Sequence, residues 1–348
     1  MRVAIIIPRL DQLGPVKVIQ SLVNSLDTAT ELQIKIFYLD KTVDPRIRMN
    51  VPAELLVRRR FCFQEYDIIH TNGIRPDLFA FLNHKKINYH ISTIHNFVFD
   101  DLSFTYNKLF SWVFGNIWLL IWKRADKLVC LSETMKNYYL KWFSASKLEV
   151  IHNGISEIEN SFILEDDIIH EITGLKARGL KLIGSAGILN KRKGYDQVFL
   201  ALSEAKEFAL IIFGNGNELS ELQTLAKKMN LSNRCVFCGF KSYAVKYFQY
   251  LDFFVAPSRS EGFGLALVEA VQQKIPVICS DIEVFKELFN EEEVTFFRLN
   301  DTISLIQALY KCQKNGIMKA ELAYRRYLNN YTNKLMAKRY YELYRLVC

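Results

Sequence analysis

Short, continuous apolar runs recur along the whole of this chain, and segments with apolar residues at helical spacing separate them. Residues 3–7 form the first run, residues 16–26 follow with helical period, and residues 33–39 return to strand character. Further strands are predicted at 66–70, 89–95, 127–131 and 148–152, then near Lys181, Phe208, Cys235, Phe253, Pro276 and Val294, with helices between. A strand that is apolar at consecutive rather than alternate positions is buried on both faces, as in a parallel sheet covered by helices. The pattern calls for an α/β chain with doubly wound parallel sheets, whose ligands bind at the carboxyl ends of the strands. With 348 residues there is material for two such domains, each with its own core. After the last strand, two helical stretches are expected at 303–314 and about 319–347.

The strand end with most to say is residues 257–282, PSRSEGFGLALVEAVQQKIPVICSDI, which follow the apolar run 253–256. Pro257 stops the strand because it cannot donate to a sheet ladder. Gly262 and Gly264 flank Phe263 in the loop, and residues 265–273 then carry strong helix formers with apolar residues at helical spacing. With Glu261 on the loop and Glu269 about one to two turns into the helix, both carboxylates can border a pocket above the strand end. Between them the N–H groups of Phe263, Gly264 and Leu265 open the helix, where free donors and the helix dipole favour an anion. Phosphate suits such a site, and a carboxylate on each side suits hydroxyls. The combination points to a sugar nucleotide.

Other predicted strand ends repeat the theme. Eight of the 15 glycines, at 184, 187, 194, 214, 216, 239, 262 and 264, fall within 81 residues, which in a glycine-poor chain argues for close backbone approach to a ligand. In the first half, Leu13-Gly14-Pro15 opens a helix, with proline suited to a helix start. His70 and His95 each close a predicted strand.

The formal charge is +8, and residues 1–150 carry 20 Lys and Arg against 14 Asp and Glu, whereas the rest carry 25 against 23. Such basicity serves nucleic acid, an anionic membrane or a phosphorylated ligand, and no zinc-finger or RNA-binding signature favours the first. Seven scattered cysteines, and a first strand that begins directly after Met1, fit a reducing cytoplasm. Cys235 and Cys238 form a lone C-x-x-C inside an apolar run, which reads as core packing. Residues 109–122 are nearly all apolar and end at Lys123-Arg124, but they are too short to span a bilayer, so they form either a buried or an interfacial helix.

Glu261-Gly-Phe-Gly-Leu-Ala-Leu-Val-Glu269, set in P-S-x-x-E-G-F-G-L-x-x-x-E-A and followed by Pro276-Val277-Ile278, resembles the E-x7-E signature of retaining GT-B glycosyltransferases, the glycosyl transferases group 1 family (GT4). The resemblance covers essentially the whole chain. It implies two Rossmann-like domains with a catalytic cleft between them, and Ile151-His152-Asn153-Gly154-Ile155 matches the usual end of the first. The domains are then residues 1–155, with a final helix of about 331–348 crossing back, and residues 156–330, which bind the nucleotide sugar. Gly187-Ile-Leu-Asn-Lys-Arg-Lys193-Gly194 resembles the family's G-R-L-x-x-x-K-G segment that clamps the diphosphate. Lys193 carries over, but Ile188 stands where the arginine belongs, leaving Lys191 or Arg192 to supply that charge.

By the same resemblance Glu269 binds the ribose, Glu261 the donor sugar near the reacting carbon, and His95 a sugar hydroxyl or the reaction centre. Gly14 is what remains of the family's glycine-rich turn near the donor diphosphate, while Gly216 in Phe213-Gly-Asn-Gly216 and Gly239 fall where the family lines its nucleotide pocket. His70 falls on the strand that opens toward the acceptor. There is no D-x-D, so no metal and no other cofactor is expected. The reaction implied is sugar transfer with retention from a nucleotide-diphosphate sugar to a glycan or lipid-linked acceptor, by front-face attack assisted by the leaving phosphate. Bacterial envelope polysaccharide (O-antigen, lipopolysaccharide or capsule) fits the composition, with the protein cytoplasmic and peripheral on an anionic inner membrane, to which Arg58, Arg59 and Arg60 also point. A sugar-nucleotide epimerase or phosphorylase of the same fold, or a non-catalytic partner subunit, is the alternative.

Overall fold

The computed structural model describes residues 1–26, 31–41, 47–57, 61–157 and 164–347. Arg58, Arg59 and Arg60 lie outside the described residues. The chain divides into two compact units, Met1–Ser156 with Asn330–Cys348, and Glu157–Asn329. In the first, β1 (Arg2–Ile7), β2 (Gln33–Tyr38), β3 (Ala53–Leu55), β4 (Ile68–Asn72), β5 (Tyr89–Thr93), β6 (Lys127–Cys130) and β7 (Leu148–Val150) form one parallel sheet in the order β3-β2-β1-β4-β5-β6-β7. In the second, β8 (Lys181–Ala186), β9 (Phe208–Phe213), β10 (Cys235–Gly239), β11 (Phe253–Ala256), β12 (Val277–Ser280) and β13 (Thr295–Phe297) are again all parallel, in the order β10-β9-β8-β11-β12-β13. These are two Rossmann-like sheets, as the apolar runs require. The strand order reverses between β1 and β4 and between β8 and β11, and at such a switch point the loops splay to leave a ligand crevice.

Burial explains the runs. Val3 to Ile7 are all inaccessible, and so are all positions of β9 but Phe213, which is 2% exposed. β3 escaped the sequence reading because its three residues, Ala-Glu-Leu, sit at the sheet edge and are only partly covered. The C-terminal helices break elsewhere than expected. One helix runs Thr302–Asn330 and a second Asn333–Leu346. Gly316 does not stop the first; a Cβ there would lie 2.7 Å from the Pro276 Cβ, so glycine serves close packing. The break falls at Tyr331-Thr332, where Ile155 N–H donates to the Tyr331 carbonyl at 2.9 Å and Asn333 N–H to the Ile155 carbonyl at 3.2 Å. Cys235 is buried in the second unit's core, where burial pushes its thiol up to about 12, as packing rather than redox work demands.

His70 proves to be a satisfied core histidine, with Nδ1 2.7 Å from the Tyr344 hydroxyl and Nε2 2.8 Å from Thr93 Oγ1. Nearby Asp77 accepts from Thr71 and Ser92 hydroxyls and from Trp122 Nε1, and Thr71 also meets His90 Nε2 at 2.8 Å. Burial holds His70 and His90 down to about 3 and His95 to about 4, and pushes Asp77 up to about 6. Between pH of about 6.5 and 4 the unfolded chain protonates three imidazoles that the folded chain keeps neutral, so folding weakens as pH falls through this window. Asp77 works the other way, since its folded form takes up a proton that the unfolded form refuses. The net is about two extra protons on the unfolded chain at pH 5, a loss of roughly 2–3 kcal/mol per pH unit there. Urea unfolding at pH 7, 6 and 5 measures it; a flat profile contradicts the neutral burial of these rings.

Candidate active site

The loops after β8 and β11 meet at the switch point of the second sheet. After β8 the chain makes a single tight turn, Lys191–Lys193, capped by Asn190, whose Oδ1 accepts from Lys193 N–H at 3.2 Å. Gly194 closes the turn with φ 67°, and a Cβ there would sit 2.2 Å from the Pro257 carbonyl oxygen. Glycine is needed on both counts. Arg259 stitches the two loops together: its guanidinium grips Asp196 at 2.8 and 2.7 Å and the Lys191 carbonyl at 2.9 Å, while its N–H donates to the Arg192 carbonyl at 2.7 Å. The cationic turn is thereby fixed against the segment that carries Glu261.

Glu261 is 7% exposed and ionised. Oε1 accepts from Lys193 Nζ at 2.5 Å and from Ser258 Oγ at 2.8 Å, and Oε2 lies 3.3 Å from Arg192 Nη1, which also donates to the Ser260 carbonyl at 2.8 Å. Burial pushes this carboxyl up, but the charges of Lys193 and Arg192 outweigh it and bring it down to about 2. Glu261 therefore has no proton to give at neutral pH. An ionised carboxylate has about four lone-pair sites, so after these three contacts Oε2 can still take one hydroxyl.

The helix beyond it spans Leu265–Gln272, close to the predicted 265–273. Gly264 caps it at φ 89°, against the Phe285 ring, where a Cβ would approach to 2.6 Å. Phe263 buries its ring, 2% exposed. Leu265 begins the first turn, and Glu269 stands half-buried in the next, on the same helix whose start adjoins Glu261.

Part of the glycine cluster is also required by packing within the fold. A Cβ on Gly214 would lie 1.8 Å from the Gly187 carbonyl oxygen, one on Gly216 2.2 Å from that of Leu189, and one on Gly184 2.0 Å from Leu251 Cδ1. These glycines let the strand-end loops pack on one another. Ile188, in the missing arginine's position, is 49% exposed. His95 and Gly14 belong to the other unit. His95 follows β5 and meets Asn72 Oδ1 through Nε2 at 3.0 Å; Gly14 is the first residue of the helix Gly14–Ser25, with Pro15 beside it. Sequence reasoning passed over Ser258, Arg259, Asp196 and Asn72. It passed over Asn190 too, although Asn190-x-x-Lys193, an Asn three residues before the residue it caps, is a local signature.

Known proteins resemble the chain along most of its length. Residues 168–329 match the family described as Glycosyl transferases group 1, and residues 3–157 match Glycosyltransferase Family 4. The chain is 34% identical over 364 aligned residues to an O-antigen biosynthesis glycosyltransferase, WclY, of Escherichia coli, covering 99% of this chain and 98% of that one. It is 26% identical to an Escherichia coli UDP-Gal:alpha-D-GlcNAc-diphosphoundecaprenol alpha-1,3-galactosyltransferase, over 73% of this chain and 68% of the relative. Anabaena Alr3699/HepE in complex with UDP-glucose superposes with a TM-score of 0.80 at 15% identity, over 99% of both chains.

Proposed function

The chain belongs to the family 4, group 1 glycosyltransferases of GT-B fold, and from that premise we propose that it moves a sugar from a nucleotide-diphosphate sugar to a lipid-linked or glycan acceptor in bacterial envelope polysaccharide synthesis, with the anomeric configuration retained. The observation that carries the proposal is the buried Glu261 held between Lys193 and Arg192 at the β8/β11 switch point. It combines a hydroxyl acceptor with excess positive charge, which is what a sugar joined to a diphosphate requires. Relatives named for O-antigen synthesis and for a diphosphoundecaprenol acceptor support the envelope reading.

In this reading the diphosphate lies along Lys193 and the start of the helix Leu265–Gln272, and Glu269 takes the ribose hydroxyls. As the bond from the anomeric carbon to the phosphate oxygen breaks, the electron pair goes to the diphosphate, where Lys193 stabilises it. The acceptor oxygen bonds to the same face of that carbon and its proton passes to the departing phosphate. Glu261, ionised and already bonded to Lys193, holds a sugar hydroxyl and orients the ammonium. His95, neutral at physiological pH with its ring fixed by Asn72, is a candidate hydrogen-bond partner for the sugar or the acceptor.

The decisive experiment incubates the protein with a panel of nucleotide sugars, scoring nucleotide release with and without lipid-linked acceptor and the product's anomeric configuration by NMR. Acceptor-dependent release with an inverted product removes the retaining mechanism. Epimerised donor, phosphate-dependent release, or binding without turnover each replaces transfer by one of the alternatives. Glu269→Ala is expected to weaken nucleotide binding about 10- to 100-fold, through loss of a charge-assisted hydrogen bond of roughly 1.5–3 kcal/mol. Isothermal titration with the free nucleotide checks it, and unchanged affinity in a folded variant takes Glu269 off the ribose.

A further inference from the structure

The loop that carries His95 is held on both sides of that residue. Ile94 N–H donates to the Val129 carbonyl at 2.9 Å. Beyond His95, the Tyr139 hydroxyl donates to the Asn96 carbonyl at 2.7 Å and accepts from Val98 N–H at 3.0 Å. Tyr139 is inaccessible, so the loop backbone is pinned to the core of the first unit. These bonds place the Cα of His95 and leave its ring free to turn about the side-chain torsions. Among the described residues the ring's hydrogen bond goes to Asn72, whose Oδ1 lies 3.0 Å from Nε2. Asn72 ends β4, pairs with Thr93 of β5, and precedes Gly73, which caps the helix Ile74–Leu82. A sheet and a helix start therefore fix its backbone, on one of the two strands that flank the switch point of the first sheet.

Stability alone does not explain an asparagine here. The residue is 2% exposed, and its Nδ2 has no hydrogen-bond partner among the described residues. A buried donor left unpaired is costly, and leucine, of similar volume, would not incur that cost. His70, two residues earlier on the strand, shows the contrast, since both of its ring nitrogens are satisfied by Tyr344 and Thr93. What Asn72 does supply is a chemical constraint on His95. An amide oxygen only accepts, so Nε2 carries the proton and Nδ1 is left with its lone pair. Burial keeps the ring neutral, down at about 4, and the neighbouring His70 is neutral as well, at about 3. At physiological pH the ring thus has one proton, and that proton is committed to Asn72. We propose that Asn72 is a positioning residue for sugar transfer: it locks His95 in the tautomer whose Nδ1 accepts, so that the site selects a hydroxyl of the donor sugar and rejects a group that only accepts. The inference rests on the transfer reading above and deepens it by giving this contact a direction. Without the amide oxygen the proton is free to move to Nδ1, and the ring then asks the hydroxyl to accept instead of donate.

The first test needs no substrate. Nitrogen NMR of the full-length protein, labelled at histidine, reads the tautomer of each ring, and His95 is assigned as the signal pair lost in His95→Gln. Expected is the Nε2–H form in the wild type and a mixture of tautomers in Asn72→Leu. The second test uses nucleotide sugars with fluorine, which only accepts, in place of the sugar hydroxyl at each ring position in turn. Fluorine slows bond breaking by the same factor in either protein, so the comparison rests on the hydroxyl-to-fluorine ratio of kcat/KM. At one position that ratio should shrink about tenfold in Asn72→Leu, the worth of one hydrogen bond. The urea midpoint of the variant should equal or exceed that of the wild type, where a structural role requires it to fall. Asn72→Asp keeps an acceptor on Nε2 and should restore the ratio at about pH 8. Its carboxylate also favours the imidazolium and raises the ring above about 4, so the rate should decline as pH falls through the raised value. The proposal is overturned if the wild-type proton sits on Nδ1, or if the ratio is unchanged at every position while nucleotide release continues. That second outcome leaves the transfer reading standing. Absence of release from every donor overturns the transfer reading itself, and this role for Asn72 with it.

Discussion

Lys193→Ala is expected to lower kcat for sugar transfer about 10²- to 10³-fold, the usual cost of removing one preorganised donor aimed at developing charge. In the resting protein Lys193 Nζ sits on Glu261 Oε1, so the ammonium is already desolvated, oriented and fixed by the turn that Asn190 caps. A diphosphate entering beside it shares that ammonium at little reorganisation cost, and the attraction grows as the anomeric carbon to oxygen bond breaks and charge moves onto the phosphate. The loss should therefore appear mainly in kcat, with the donor KM changed less. Lys193→Arg should recover only part of the rate, because a planar fork cannot reproduce a point charge in a turn this tight. Arg192 remains on Glu261 in either variant, so the fold should survive. Steady-state kinetics with the cognate donor measure all of this; a kcat within threefold of wild type would remove Lys193 from the chemistry.

How far the sequence carried this site depends on the range of the interactions. The strand, loop and helix at 253–272 were legible because each step is local: Pro257 ends a ladder, Gly264 takes a positive φ, and Leu265 onward has helical period. The doubly wound sheets were legible because burial on both faces leaves a continuous apolar run. The clamp of Arg259 on Asp196 spans 63 residues, and Ser258 on Glu261 uses a serine like any other in a loop, so neither is marked by its local sequence. Glycines 184, 214 and 216 were visible as a cluster, yet only geometry reveals that neighbouring loops and a leucine side chain leave no room for their Cβ atoms. The terminal helices were divided at the wrong place for the same reason. Gly316 carries the ordinary signal of a helix end, and the close approach of Pro276 that explains it is 40 residues away.

Glu261→Ala should combine the second large loss of activity with a loss of stability, and the two have one cause. The carboxylate stands between Lys193 and Arg192 in a nearly inaccessible position, with Ser258 donating to it as well. Deleting one partner of a buried ionic cluster leaves the remaining charges uncompensated, a cost of about 3–5 kcal/mol. The depressed pKa of the carboxyl leads to a comparable figure. Glu261 falls from its ordinary 4.5 to about 2, and a shift of that size corresponds to roughly 3 kcal/mol. Because the folded value is the depressed one, this stability is fully present above pH of about 4.5 and is lost as pH falls through the interval down to about 2. The variant should lack that segment of the acid profile while keeping the histidine-linked decline between pH of about 6.5 and 4. Transfer should fall as well, since Lys193 loses the anchor that orients it and the donor loses a hydroxyl acceptor. Restoring stability by working at low temperature separates the effects: rate should stay low in a fully folded variant. Urea titrations from pH 3 to 7 on both proteins, with kcat measured where both are folded, decide the matter. A variant with wild-type stability at pH 7 means that the ionic cluster is not what organises this turn, and one with wild-type kcat means that Glu261 serves the fold alone.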